Sequence, residues 1–112
     1  MADIQNCKEY VRPLGDGERL RVRVDTQPTG PPSYCFQVEV WFDDARGWEP
    51  VVRADDFHDH PHLDLLSPSG KQRKLWFRNQ GDCKANMKAA QSWMGSNWEA
   101  QIERYRHELY EP

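Results

Sequence analysis

The chain has 112 residues, of which 38% are hydrophobic and 29% charged, and its formal net charge is −3 at pH 7. This length suits one domain with a single modest core, and five Trp, four Tyr and four Phe exclude a disordered chain. The negative charge argues against a strongly basic nucleic-acid-binding module, although an RNA enzyme needs only a local positive patch. We therefore expect one folded domain over residues 1–112.

Cysteine usage and the N-terminal segment indicate the cellular compartment. Cys7, Cys35 and Cys83 are far apart and form no CxxC motif, so a disulfide framework or a structural zinc site is not expected. The opening MADIQNCKEY has no apolar stretch of the kind that a signal peptide needs. No run approaches the roughly 20 apolar residues of a membrane span. These features predict a cytoplasmic protein with no membrane partner.

The first half of the chain predicts strands joined by turns. KEYVR suits a short edge strand, and PLGDG supplies turn formers for a hairpin across Pro13–Gly17. ERLRVRVD alternates apolar and arginine side chains, which is typical of a half-buried strand. Prolines in residues 26–33 predict a loop. YCFQVEVWFDD gives the strongest strand signal, because alternate apolar residues from Tyr34 to Phe42 share one face.

The second half predicts further strands and then helix. DDARG suits a turn, WEPVVRAD a strand, and LDLLS, PSG and KQRKLWFR a final hairpin. Asp82 is a candidate helix N-cap, and apolar residues from Met87 onward recur at helical spacing. Gly95 interrupts this pattern, and SNWE has the form of a capping box, so a helix start is predicted at Ser96.

The order of strands followed by helices predicts an α+β fold. We expect an antiparallel sheet of five to six strands, with one kinked or two C-terminal helices packed on one face. The residues expected in the core between them are Tyr34, Phe36, Val38, Val40, Phe42, Leu20, Val22, Val24, Leu75, Trp98, Ile102 and Tyr105.

Three of the four histidines lie in RADDFHDHPHLD, residues 53–64, among four aspartates. Imidazole and carboxylate ligands suit zinc, iron or manganese, so His58, His60 and His62 form a candidate metal site. The aspartates that could add oxygen ligands to it are Asp55, Asp56, Asp59 and Asp64. Pro61 argues against a regular strand through all three histidines. A polar surface loop is the third interpretation of this stretch, beside the metal site and acid–base chemistry.

Acid–base cleavage of RNA without a metal needs a base, an acid and a cation that stabilises the phosphorane. Histidine, with an unperturbed pKa of about 6.5, suits both proton roles, and arginine has a donor fork that matches phosphate. Candidate catalytic residues are therefore Arg53, Asp55, His58 and His62, with Asp55 holding an imidazole in the required tautomer. No cofactor is expected for this chemistry.

A positive patch follows the PSG turn. Lys71, Arg73 and Lys74 precede Trp76, whose ring can stack on a nucleic-acid base. Lys71, Arg73, Lys74 and Trp76 are therefore candidate RNA-binding residues. The alternative is a solvated strand face opposite Leu75.

These segments together resemble a known family. A strand ending in VVRADD, the segment FHDHPH, a hairpin with PSG and a helical C-terminus resemble the TumE-type toxins of bacterial toxin–antitoxin pairs and related small bacterial proteins of unknown function. Those proteins show an arginine and an aspartate two apart with histidines shortly after, which Arg53, Asp55, His58 and His62 match. The resemblance covers about residues 34–80. It implies a ribonuclease-like toxin with an RNA substrate and a cognate antitoxin protein as partner.

A second hypothesis is a non-catalytic protein-binding or inhibitor protein from a mobile element. The arginines of residues 19–23 and the tryptophans at 41, 48, 93 and 98 would then form a protein interface. Those tryptophans also suit core packing. The oligomeric state stays open, with a homodimer among the alternatives.

Overall fold

The computed structural model of the chain describes residues 7–25, 33–56 and 60–110. Six strands precede one helix, and each strand pairs antiparallel with its neighbour in sequence, so the sheet order is β1-β2-β3-β4-β5-β6. The α+β fold is therefore as predicted. Residues 26–32 of the predicted loop and His58 lie outside the described residues. The elements are β1 (Cys7–Gly15), β2 (Glu18–Asp25), β3 (Ser33–Trp41), β4 (Trp48–Asp55), β5 (His62–Leu66), β6 (Gln72–Trp76) and α1 (Cys83–Tyr110).

Alternation along the strands gives the sheet two different faces. Helix α1 packs mainly against β3 and β4 and covers the apolar side, which we call the helix face. The polar side, which we call the open face, has no helix over it in the described part of the chain. Register places these residues together on the open face: Arg19, Arg21, Arg23, Gln37, Glu39, Arg53, Asp55, His62, Asp64, Lys74 and Trp76.

The hydrophobic core lies between the helix face and α1. Most of the predicted core residues are buried there, and Leu20, Val24 and Trp98 pack against them while partly exposed. The prediction is wrong for Leu75, which is 40% exposed. Leu75 lies on β6, an edge strand, and α1 packs over the middle of the sheet. Phe42 is also outside this core; it follows β3, and the guanidinium of Arg46 lies 4.2 Å from its ring centre.

A β-bulge between β3 and β4 is tied to the helix by an arginine. Val38 pairs with Val52 and Glu39 pairs with Pro50, which leaves Val51 as the extra residue. Arg104 of α1 donates hydrogen bonds to the Val51 carbonyl at 2.9 Å and to the Leu66 carbonyl at 3.0 Å. The arginine therefore satisfies two carbonyl groups of the sheet that point toward α1.

Helix α1 is a single element of 28 residues, so the predicted helix start at Ser96 is wrong. Gly95 and Ser96 are exposed inside the helix. Buried residues on both sides of them, Met94 and Ile102, pack on the same core. Packing of this kind outweighs the local preference of a glycine and a capping sequence.

The beginning of α1 follows the sequence prediction. Asp82 directly precedes the helix, and its Oδ1 accepts a hydrogen bond from the Lys84 N–H at 3.4 Å. The Asn86 side chain accepts a further bond from the Gln80 N–H at 2.7 Å. No helix in the described residues combines the length and apolar character needed to cross a membrane.

Candidate functional site

The candidate site is a pocket of about 360 Å³ on the open face, where β4, β5 and β6 lie side by side. Register aligns the side chains that form it. Asp55 of β4 is opposite His62 of β5, and His62 is opposite Trp76 of β6. We call it the open-face pocket, and its lining residues are Arg53, Asp55, His60, His62, Asp64, Lys74 and Trp76.

His62 lies at the base of the pocket and is 5% exposed. Its Nδ1 is 2.8 Å from the carbonyl oxygen of His60. Because a carbonyl oxygen can only accept, Nδ1 carries a proton and donates it. The other ring nitrogen, Nε2, faces Asp55 Oδ1 at 3.0 Å and Asp64 Oδ2 at 3.5 Å. The imidazole is therefore held in one orientation, with Nε2 directed at two carboxylates.

Asp64 completes this arrangement and is itself buried, at 6% exposure. Its Oδ1 is shielded from solvent and has no hydrogen-bond partner among the described residues. Asp55, His62 and Asp64 each offer one ligand atom, and these three atoms lie within 4.8 Å of one another. We call these three residues the Asp–His–Asp cluster. A buried carboxylate oxygen without a hydrogen-bond partner destabilises the fold, so Asp64 Oδ1 is an acceptor that the contacts within the cluster leave unsatisfied.

An aromatic and a cationic side chain form the outer edge of the pocket. Trp76 is 65% exposed, and its ring centre lies 5.6 Å from that of His62. The Nζ atom of Lys74 lies 5.4 Å from the Trp76 ring. An exposed indole beside a lysine can stack on a base while the ammonium contacts the adjacent phosphate.

Arg53 links the pocket to a polar network across the open face. Its Nε donates to Gln37 Oε1 at 2.7 Å, and Gln37 Nε2 donates to Glu39 at 2.6 Å. Glu39 also accepts a bond from Arg19 at 2.7 Å and pairs with Arg21 at 3.4 Å. Burial by itself raises the pKa of Glu39, but the hydrogen bonds from Arg19 and Gln37 and the nearby arginine charges outweigh it and lower that pKa. The network fixes the position of the Arg53 guanidinium beside the pocket.

The structure brings together three of the four predicted catalytic residues, Arg53, Asp55 and His62; the fourth, His58, lies outside the described residues. Asp64 is not among the predicted catalytic residues, although it is one of the aspartates expected to be able to add an oxygen ligand to a metal. The signal that indicates it is its position two residues after His62, which places both side chains on one strand face.

The predicted RNA-binding residues divide between the two faces of the sheet. Lys74 and Trp76 line the open-face pocket. Arg73 pairs with Leu65, which is a core residue of the helix face, so it lies beside Arg104 of α1 instead. Lys71 lies between β5 and β6, outside the pocket.

The predicted metal set of His58, His60 and His62 is not the cluster found in the described residues. His60 presents its carbonyl to His62, while its ring lies edge-on to Trp76 with the centres 6.0 Å apart. The ligand atoms that converge are those of the Asp–His–Asp cluster. His62 is the one member common to both sets.

The residues of the alternative protein interface are mostly engaged within the domain. Trp93 and Trp98 pack against the core. Trp41, 44% exposed, contacts the edge of Trp48 on the open face at 5.6 Å. The Arg19 guanidinium lies 4.0 Å from the Trp48 ring.

A second groove, of about 410 Å³, lies on the helix face between α1 and the β1–β2 hairpin. Arg12 is the one charged side chain among its described lining residues, which are otherwise largely apolar. The groove therefore lacks the proton-transfer groups that the open-face pocket contains.

Comparisons with known proteins identify a family and no characterised relative. A search of curated proteins and a search of solved structures found no match to this chain. A family model matches residues 5–111, a range that includes every residue of the open-face pocket. On this match, the chain belongs to the family described as "Domain of unknown function (DUF7718)".

Proposed function

We propose that this protein is a small ribonuclease-like enzyme and that RNA binds in the open-face pocket. One observation carries the proposal. The Asp–His–Asp cluster, whose groups can transfer protons or hold a cation, lies directly beneath Trp76. Trp76 is exposed and has Lys74 beside it. A nucleotide stacked on that ring would have its phosphate close to the reactive groups.

The substrate expected for this pocket is single-stranded RNA. Stacking on Trp76 requires a base whose face is free, as it is in loops and single strands. Lys74 and Arg53 then supply local positive charge in a chain whose net charge is −3. The same cations would stabilise the charge that develops on the phosphorane.

The proton transfers are proposed for the residues predicted from the sequence. Asp55 Oδ1 lies 3.0 Å from His62 Nε2, and the His60 carbonyl takes the N–H of the other ring nitrogen, so the buried imidazole would exchange a proton with Asp55 and not with RNA directly. His58 stays a prediction as the second proton-transfer group. Metal-independent chemistry also stays a prediction, and activity that chelators leave unchanged is its marker.

The resemblance to TumE-type toxins supports a cellular role for such an activity, with a cognate antitoxin as its inhibitor. Induction of the wild-type chain should therefore arrest bacterial growth. Arg53→Ala and Trp76→Ala should relieve the arrest, because the first removes the phosphate-binding cation and the second removes the stacking ring. Trp41→Ala, which changes another exposed tryptophan of the open face outside the pocket, should still arrest growth.

Soluble expression and circular dichroism of each variant separate loss of activity from loss of fold. Normal growth during strong induction of soluble wild-type protein would contradict the toxin role. If that protein also co-purified with one host protein and lacked nuclease activity, the non-catalytic binding hypothesis would be favoured instead.

A further inference from the structure

We infer that the Asp–His–Asp cluster binds one divalent transition-metal ion, Mn²⁺ or Zn²⁺, through Asp55, His62 and Asp64. The inference goes beyond the proposed function, which assigns metal-independent chemistry to the same pocket, and only the consequence of the ion for RNA cleavage rests on that function. Metal binding itself can be measured without RNA, so the two proposals can fail separately.

The spacing of the ligand atoms fits a shared metal ion. Metal–ligand bonds of about 2.0–2.2 Å at tetrahedral to octahedral angles place neighbouring ligand atoms about 2.8–3.6 Å apart. The separations from His62 Nε2 to the Asp55 and Asp64 oxygens are 3.0 Å and 3.5 Å. Both separations lie within that range, and the three ligand atoms all lie within 4.8 Å of one another.

The hydrogen bond of His62 Nδ1 to the His60 carbonyl is of the kind that metal-binding histidines make. Such a histidine donates its other ring N–H to a carbonyl or carboxylate, which fixes the tautomer and presents an unprotonated nitrogen to the metal. Here His62 Nδ1 donates to the His60 carbonyl at 2.8 Å, and Nε2 faces the two aspartates.

A proton on Nε2 leaves part of the cluster unsatisfied. One N–H can donate well to Asp55 at 3.0 Å, but Asp64 Oδ2 is then 3.5 Å away and Asp64 Oδ1 has no partner in the described part of the chain. The Asp64 side chain is 9% exposed, so water compensates little. A divalent cation would neutralise both carboxylates and employ both aspartates as ligands.

The donor set indicates the class of metal. Imidazole suits zinc and iron, carboxylates suit manganese and magnesium, and a mixed set with one imidazole and two carboxylates favours Zn²⁺ or Mn²⁺ over Mg²⁺. Three protein ligands leave open coordination positions. In the open-face pocket these positions can take a water molecule or a phosphate oxygen, which is where a metal would assist phosphodiester cleavage.

The experiment titrates the full-length, untagged chain, after dialysis against EDTA and then chelator-free buffer, with MnCl₂, ZnCl₂ or MgCl₂. Isothermal calorimetry and the loss of the free Mn²⁺ electron paramagnetic resonance signal report binding, and thermal unfolding reports the linked rise in melting temperature. We expect one Mn²⁺ or Zn²⁺ per chain and much weaker binding of Mg²⁺.

Variants identify the ligands. Asp64→Asn and Asp55→Asn should each weaken binding at least about tenfold. Asp64→Asn should leave the metal-free protein folded, because it removes a buried charge whose Oδ1 has no hydrogen-bond partner among the described residues. Glu9→Gln removes an exposed carboxylate elsewhere in the sheet and should bind as the wild type does. His60→Ala keeps the carbonyl that holds His62, so binding should persist.

Absence of Mn²⁺ and Zn²⁺ binding by folded wild-type protein at millimolar metal would overturn the inference, as would equal binding by folded Asp64→Asn. Loss of binding in His60→Ala with retention in Asp64→Asn would assign the ion to the histidine set instead and would also overturn it. Metal binding without any RNA cleavage would refute the proposed function alone. RNA cleavage in EDTA, together with no Mn²⁺ or Zn²⁺ binding in the titrations, would refute the metal site alone.

Discussion

Asp55 and His62 are direct partners in the register of β4 and β5, and their side chains meet at 3.0 Å on the open face. The neighbouring pair on the other face is Ala54 and Leu63, which are 0% and 2% exposed. A slip of one residue would exchange the two faces and bring charged groups into the core. Burial of Ala54 and Leu63 therefore holds the site residues in register.

Val38 tests the assignment of faces. It is 0% exposed on the helix face, and burying a side chain of this size is worth about 1.5–3 kcal/mol. Val38→Asp loses this burial free energy and also places a charge in the core, whereas the total free energy of unfolding of a domain is only about 5–15 kcal/mol. We expect an unfolded domain by circular dichroism. Val11→Asp, at an exposed site on β1, is the control, and an unchanged Val38→Asp melting curve would show that the faces are reversed.

Gly95 and Ser96 test the continuity of α1. A methyl group at Gly95 would meet nothing within 4 Å, and alanine is better than glycine in a helix by about 1 kcal/mol. Gly95→Ala should therefore raise the melting temperature. Ser96→Ala should change stability little, because Ser96 is not a cap. A loss of about 1 kcal/mol in Ser96→Ala would indicate a separate helix start there.

Glu39 should make stability depend on acid pH. Its pKa is lowered in the folded state, so the stabilisation is present above the ordinary glutamate value of about 4.3 and is lost as pH falls through the folded pKa. At pH 7, Glu39→Gln should cost about 1–3 kcal/mol in urea unfolding. That cost should shrink below pH 4. A difference between wild type and Glu39→Gln that stays constant from pH 7 to pH 3 would contradict the assignment.

Arg104 should matter through the bulge rather than through surface charge. Arg104→Met keeps an apolar stem but leaves the carbonyls of Val51 and Leu66 without their donor. We expect Arg104→Met to lower the free energy of unfolding, measured in urea, by about 1.5–3 kcal/mol, the range for hydrogen bonds to a charged group. Arg106→Met, which removes a more exposed arginine paired with Glu18 at 3.3 Å, should cost under about 1 kcal/mol by the same unfolding measurement.

The alternation of apolar and polar side chains made the sheet predictable, together with the site residues that lie on one strand. A period of two in β2 and β3 separates apolar from polar faces, and the same period places Arg53 with Asp55. Local patterns were less informative where tertiary packing decides the structure. It decides the continuity of α1 at Ser96 and the exposure of Leu75 on β6, an edge strand. The convergence of Asp64 with Asp55 depends on the register between β4 and β5, which no local pattern encodes.

Cleavage of labelled single-stranded RNA by the purified chain, with EDTA or with added Mn²⁺ or Zn²⁺, tests the central claim most directly. We expect the wild type to cleave in at least one condition, and Trp76→Ala to need about 5- to 150-fold more RNA for half-maximal rate. That range corresponds to the roughly 1–3 kcal/mol of a base stacked on an aromatic ring. Tyr110→Ala, which removes a ring that is 80% exposed at the end of α1, should match the wild type. No cleavage by folded wild type in any condition, or equal behaviour of Trp76→Ala and wild type, would contradict the assignment of the open-face pocket as an RNA-cleaving site.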